Sequence, residues 1–162
     1  MLSPFWVTGF ADGEGCFVIG AYRRMTRKGY YLNMTPRFSI SQKAVDVALL
    51  NRIREHFGVG RVVKKTAPSY SQPMKQFEVT RIADFATIVQ HFDSYPLQTT
   101  KAADFVLWRR AVMLLIAASQ HEKFDSGVPK GRRRYTDADI EQLFELHEQL
   151  QAGRHHGTCQ NL

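Results

Sequence analysis

Cysteine is nearly absent from this sequence of 162 residues: there are two, Cys16 and Cys159. Two distant thiols exclude a disulfide framework and a zinc-ligand spacing, and they fit a reducing, intracellular setting. Long hydrophobic runs are missing as well. The longest, residues 111–118, falls well short of the ~20 apolar residues that cross a bilayer. The stretch Met1-Leu2-Ser3-Pro4 has no basic segment leading into an apolar one, so no secretory leader is expected. The expectation is a soluble, non-secreted protein, cytoplasmic or organellar, without a membrane partner. Acidic residues are in deficit, 15 Asp and Glu against 22 Lys and Arg, which leaves a net charge of +7. A basic domain with a pI near 9.6 is drawn to polyanions, nucleic acid first and an anionic membrane surface second. No internal repeat is visible.

Apolar residues make up 44% and charged residues 23%, ordinary globular usage in a chain long enough to bury a core. Ser3 and Pro4 mark a helix start. Residues 4–12 are apolar nearly all round, through Phe5, Trp6, Val7, Phe10 and Ala11, so this helix should be buried on most sides. Gly13 and Gly15 are expected to stop it. Residues 16–25 and 31–41 alternate with strand period. Pro36 suggests a bulge or an edge in the second. Residues 45–56 carry helical spacing closed by Gly58-Val59-Gly60. Residues 61–65 and 75–80 read as a second hairpin, with a loop at 67–73. Helices follow at 83–92 and 101–118, separated by Tyr95-Pro96. The order is α-β-β-α-β-β-α, an α+β core over residues 1–118. A basic linker or loop at 119–135, a helix at 136–152 and a tail at 153–162 complete the chain.

One segment carries a motif: Trp6-Val7-Thr8-Gly9-Phe10-Ala11-Asp12-Gly13-Glu14-Gly15-Cys16-Phe17. It resembles the LAGLIDADG motif in the form W-x-x-G-F-x-D-G-E-G-x-F. Phe38-Ser39-Ile40-Ser41-Gln42-Lys43 is similar to the ending of that family's second strand. Residues 95–105, which begin Tyr95-Pro96-Leu97-Gln98-Thr99-Thr100-Lys101, are similar to its P-L-x-T-K-K-x-x-D-F segment. Three matches in order, over roughly residues 3–116, identify the chain as resembling the single-motif LAGLIDADG homing endonucleases. The resemblance implies that family's fold, with a four-stranded antiparallel DNA-binding sheet. It also implies intron homing: site-specific cleavage of double-stranded DNA at a long pseudo-palindromic site, with a divalent cation. The alternative it leaves is a maturase or regulator that binds DNA or RNA without cutting.

The residues give physical reasons for parts of this. Gly9 and Gly13 lie four apart, on one helix face, and lack of side chains there lets a second such helix approach closely. With one motif per chain, a homodimer is expected, which would bring two Glu14 carboxylates near a two-fold axis. A carboxylate at a helix C-terminus is disfavoured by the helix dipole and calls for a cation. Mg²⁺, or another hard divalent ion such as Mn²⁺ or Ca²⁺, suits it. No small-molecule cofactor is expected.

By the resemblance, the carbonyl of Gly13 shares the metal, Gln42 positions water, and Lys101 stabilises charge on the phosphate. Thr100 stands where the family's first lysine would be. Gln42 also reads as a polar residue ending a strand, and Asp12 as a capping or packing residue. His91, His121 and His147 read as surface or packing groups. On the sheet, Tyr22, Arg24, Asn33, Thr35, Arg37, Ser39, Arg61, Lys65 and Gln76 alternate away from the apolar face. They are donors suited to base edges and phosphates, although a solvated sheet face has the same pattern. Glu78 is the one acid among them. Two such sheets would cover roughly 20 bp. The basic cluster at 130–134 could add phosphate contacts.

Overall fold

The computed structural model describes residues 1–26, 29–65, 72–121 and 136–153, with the side chains of all of these except 22–33, 120, 121 and 137. Helix α1 spans Pro4–Glu14. Ser3 precedes it, and its carbonyl, rather than its hydroxyl, joins the helix by accepting the Val7 N–H at 3.1 Å. Gly13 does not stop α1. A helical glycine costs only about 1 kcal/mol against alanine, and the helix runs on through Glu14. The stop is Gly15, already extended. A Cβ there would lie 2.5 Å from the Ala11 carbonyl oxygen, so this close turn requires glycine.

Strands β1 (Gly15–Thr26) and β2 (Gly29–Lys43) follow. A 3-10 turn at Ala44–Asp46 leads into α2 (Val47–Phe57). Gly58 closes α2 in the left-handed conformation, φ 68°, and its N–H returns to Arg54 O at 2.8 Å. Strands β3 (Arg61–Lys65) and β4 (Met74–Val79) come next. Then come α3 (Phe85–Ser94), α4 (Lys101–His121) and α5 (Asp137–Gly153). Thr136 and Asp139 open α5 with a reciprocal capping box. Asp139 N–H donates to Thr136 Oγ1 at 3.1 Å and Thr136 N–H to Asp139 Oδ2 at 2.9 Å. Among the described residues, no helix is long and apolar enough to cross a membrane.

The four strands form an antiparallel sheet in the order β1-β2-β4-β3. Phe38 faces Val79 and Ile40 faces Phe77 across β2 and β4; Val62 faces Phe77 across β3 and β4. Pro36 sits inside β2 at no cost to this ladder, because the β4 pairing ends at Phe38 and Val79.

The chain divides into two compact units, Met1–Phe17 with Arg37–Ala103, and Val18–Pro36 with the described residues from Asp104 onward. The first is built on a cluster of aromatic rings. Phe38 stacks on Phe17 at 5.0 Å and meets Phe92 edge-on at 5.4 Å, and Phe57 stacks on Phe77 at 5.7 Å. The second buries Trp108, Val112 and Leu115 of α4 and Leu143, Leu146 and Leu150 of α5. In it, His147 of α5 hydrogen-bonds the Ile19 carbonyl of edge strand β1 at 2.5 Å, covering one group that an open edge would leave free.

Candidate active site and nucleic-acid interface

The last turn of α1 gathers four of the residues singled out in the sequence, Asp12, Gly13, Glu14 and Lys101. Helix C-terminal carbonyls have no intrahelical partner and carry partial negative charge. Here the Gly13 carbonyl receives an ammonium, with Lys101 Nζ donating to it at 2.7 Å and also, at 3.4 Å, to Ala11 O, which accepts the Gly15 N–H as well. Lys101 is delivered by Asp12. The Asp12 carboxylate accepts Gln98 N–H at 2.8 Å, Thr99 N–H at 3.2 Å and Thr99 Oγ1–H at 2.8 Å. Thr99 Oγ1 in turn accepts the Lys101 N–H at 3.3 Å, at the start of α4. Asp12 is thus a cap, as its structural reading expects.

Glu14 is exposed beside this assembly. Its carboxylate and the Gly13 carbonyl are hard oxygen donors that suit a divalent cation. The ammonium already on Gly13 O marks that carbonyl as a place for positive charge. Gln42 is half-buried near the end of β2, in register with Lys75. Among the described residues no hydrogen bond ties it to Glu14 or Lys101.

The exposure of α1 departs from expectation. Val7, Thr8 and Ala11 are buried, but Phe5 is 72% and Trp6 42% exposed. Phe5, Trp6, Gly9 and Gly13 share one face, and a Cβ at either glycine would meet nothing within 4 Å. The described residues cover one side of this apolar helix and leave the other open.

The polar face of the sheet is more structured than alternation suggests. Gln76 and Glu78 of β4 are buried, at 5% and 8% exposure. Arg61 of β3, opposite Glu78 in register, donates Nε–H to Glu78 Oε1 at 2.9 Å, with an Nη on the same oxygen at 2.8 Å. Gln76 Nε2–H donates to Glu78 Oε2 at 3.2 Å, and Ser41 Oγ–H to Gln76 Oε1 at 3.3 Å. Ser39 is buried as well. Lys65 and Arg37 are half-buried, and the Arg37 Nε–H is buried without a hydrogen-bond partner among the described residues. Thr35, in the other unit, is exposed and donates to Gly20 O at 3.4 Å. The side chains of Tyr22, Arg24, Asn33 and His121, and the whole of the 130–134 cluster, lie outside the described residues.

The LAGLIDADG endonuclease model matches residues 7–112. This chain belongs to that family. An uncharacterized 50.9 kDa protein in ND4 intron 1 of Podospora anserina is 36% identical to it over 115 residues, 70% of this chain and 24% of that one. The crystal structure of the homing endonuclease I-TnaI superposes with a TM-score of 0.68 at 27% identity, covering 94% of this chain and 95% of that one. The LAGLIDADG meganuclease I-AabMI, bound to uncleaved DNA, superposes with a TM-score of 0.68 at 26% identity, over 94% of this chain and 46% of that one. The chain spans about a quarter of the length of the curated relatives it matches.

Behind the LAGLIDADG helix lies a polar relay that the sequence reading passed over. Thr8 donates its hydroxyl hydrogen to Tyr95 O at 3.0 Å. It therefore accepts from His91 Nε2–H, 3.2 Å away. The Nδ1 of His91 is then bare and accepts from His56 Nε2–H at 3.4 Å. Burial, and then the adjacent His56, lower His91 from 6.5 to about 4, so the neutral ring that this pattern requires is the stable one. His91 is thus a packing residue, as expected, but one that joins α1, α2 and α3. No spacing rule links residues 8, 56 and 91, which is why the sequence alone does not reveal the relay.

Proposed function

We propose that this chain is a DNA-cutting half-site: paired with a second LAGLIDADG helix, it hydrolyses one phosphodiester bond in each strand of a specific duplex. The observation that carries the reading is the end of α1. There an exposed carboxylate, Glu14, stands next to cation-seeking carbonyls, on a helix whose Phe5–Trp6–Gly9–Gly13 face is open. The expected partner is a second copy related by two-fold symmetry.

Glu14 and the Gly13 carbonyl would hold a divalent cation, Mg²⁺ by preference. When bound, such an ion supplies charge neutralisation on the phosphate and acidification of water. Lys101 contributes a fixed ammonium beside the same carbonyl, able to stabilise charge building on a phosphate oxygen. Asp12 and Thr99 set its position. Gln42 orients water from the end of β2. The sheet face, with Arg37, Arg61 and Lys65, lies on the duplex, together with Tyr22, Arg24, Asn33 and Thr35. An intron is the expected genetic setting, in line with the Podospora relative, and an organelle the expected compartment.

The test is cleavage of DNA spanning the gene's own insertion site. Double-strand cutting with Mg²⁺ and none with EDTA is the expected result. Tight, sequence-specific binding with no cutting under any divalent ion would instead favour a maturase or regulator.

A further inference from the structure

The sheet face holds a buried acid where a DNA-binding surface has least use for one. Glu78 faces Ser39 and Arg61 in the ladders, at 8% exposure. Both of its oxygens are engaged, Oε1 by Arg61 and Oε2 by Gln76, and Gln76 is itself held by Ser41. The carboxylate plane is therefore fixed from two sides. Arg61 meets it through Nε and one Nη, the side edge of the guanidinium. The end edge, with the remaining N–H donors, points away from the carboxylate, and the Arg61 side chain is 68% exposed. An end-on guanidinium fork matches the O6 and N7 acceptors of guanine in the major groove. A free arginine would have to lose its rotamer freedom on binding, whereas one already held loses less.

We infer that Glu78 is a positioning residue for base recognition: it fixes Arg61 so that its outer fork reads one guanine, and Gln76 and Ser41 brace Glu78 rather than touch DNA. The inference rests on the DNA-binding reading above. It moves Gln76 from reader to support, and leaves Arg61 as the reader of one base pair.

The experiment is selection of bound duplexes from a randomised DNA library by the full chain, comparing wild type, Glu78→Gln, Glu78→Asp and Arg61→Met, with thermal melting of each. Wild type should enrich a motif containing one G·C pair whose preference disappears in Arg61→Met. Both Glu78 variants should lose about ten-fold of that preference and keep the rest of the motif. Glu78→Asp, which retains the charge but withdraws the carboxylate, keeps the test usable if the neutral variant does not fold. An unchanged motif in both Glu78 variants overturns the positioning role alone. Uniform weakening in Arg61→Met, with no base affected, makes Arg61 a phosphate contact and overturns it too. If wild type enriches no motif, the DNA-binding reading fails, and this inference with it.

Discussion

Asp12 is a cap, and the end of α1 is built around it. Its carboxylate takes two backbone N–H groups and a hydroxyl from Gln98 and Thr99, and that clamp sets Lys101 over the end of α1. Asp12→Ala leaves these donors without a partner and should cost about 1–3 kcal/mol, measured by denaturant unfolding. Asp12→Asn, which keeps one acceptor oxygen, should cost less. Equal stability of all three would show that the clamp contributes nothing. His91 makes a second prediction at this scale. Its folded value is about 4 against 6.5 when unfolded. Between those values the unfolded chain takes up a proton that the folded chain refuses. The stability this group confers is thus full above pH 6.5 and is lost as pH falls towards 4. In unfolding titrations at pH 7 and pH 5, wild type should lose more stability than His91→Gln, by the equivalent of up to about one proton. Parallel losses would contradict the relay.

Among the elements, α1 has a surface at odds with its isolation, with Phe5 and Trp6 exposed. Gly9→Ala should strengthen the helix by about 0.5–1 kcal/mol, because nothing among the described residues crowds that position. The same methyl should weaken pairing by ten-fold or more if a second helix packs there. Analytical ultracentrifugation with thermal melting separates the two effects, and improved melting with unchanged association would remove this face as the pairing surface. The elements themselves were legible because their periods are strong. Alternation marked β1 and β2, a hairpin pattern marked β3 and β4, helical spacing marked α2, and Ser3-Pro4, Gly58 and Tyr95-Pro96 punctuated the elements. Glu14 and Lys101 were legible through the motif and its register. What stayed hidden depends on pairing across the sheet and between helices. That Glu78 meets Arg61, or that Thr8 meets His91, follows from registers that one sequence does not display. Polarity on alternate residues was read as a uniform donor surface, whereas register turns Gln76 and Glu78 into an internal brace.

For the whole molecule, the proposed pairing needs a second LAGLIDADG helix. The chain covers nearly all of I-TnaI and under half of I-AabMI, so the family offers both a short architecture and one about twice as long. Light scattering should give twice the monomer mass, and a monomer that still cuts both strands would rule out the symmetric pair. The proposed chemistry turns on Glu14. Its most direct test is the rate of double-strand cleavage of the insertion-site DNA by wild type and Glu14→Gln in Mg²⁺, with binding measured in parallel. Glu14→Gln should bind within a few-fold of wild type and lose about a hundred-fold or more in cleavage. Equal cutting by the two proteins would contradict it.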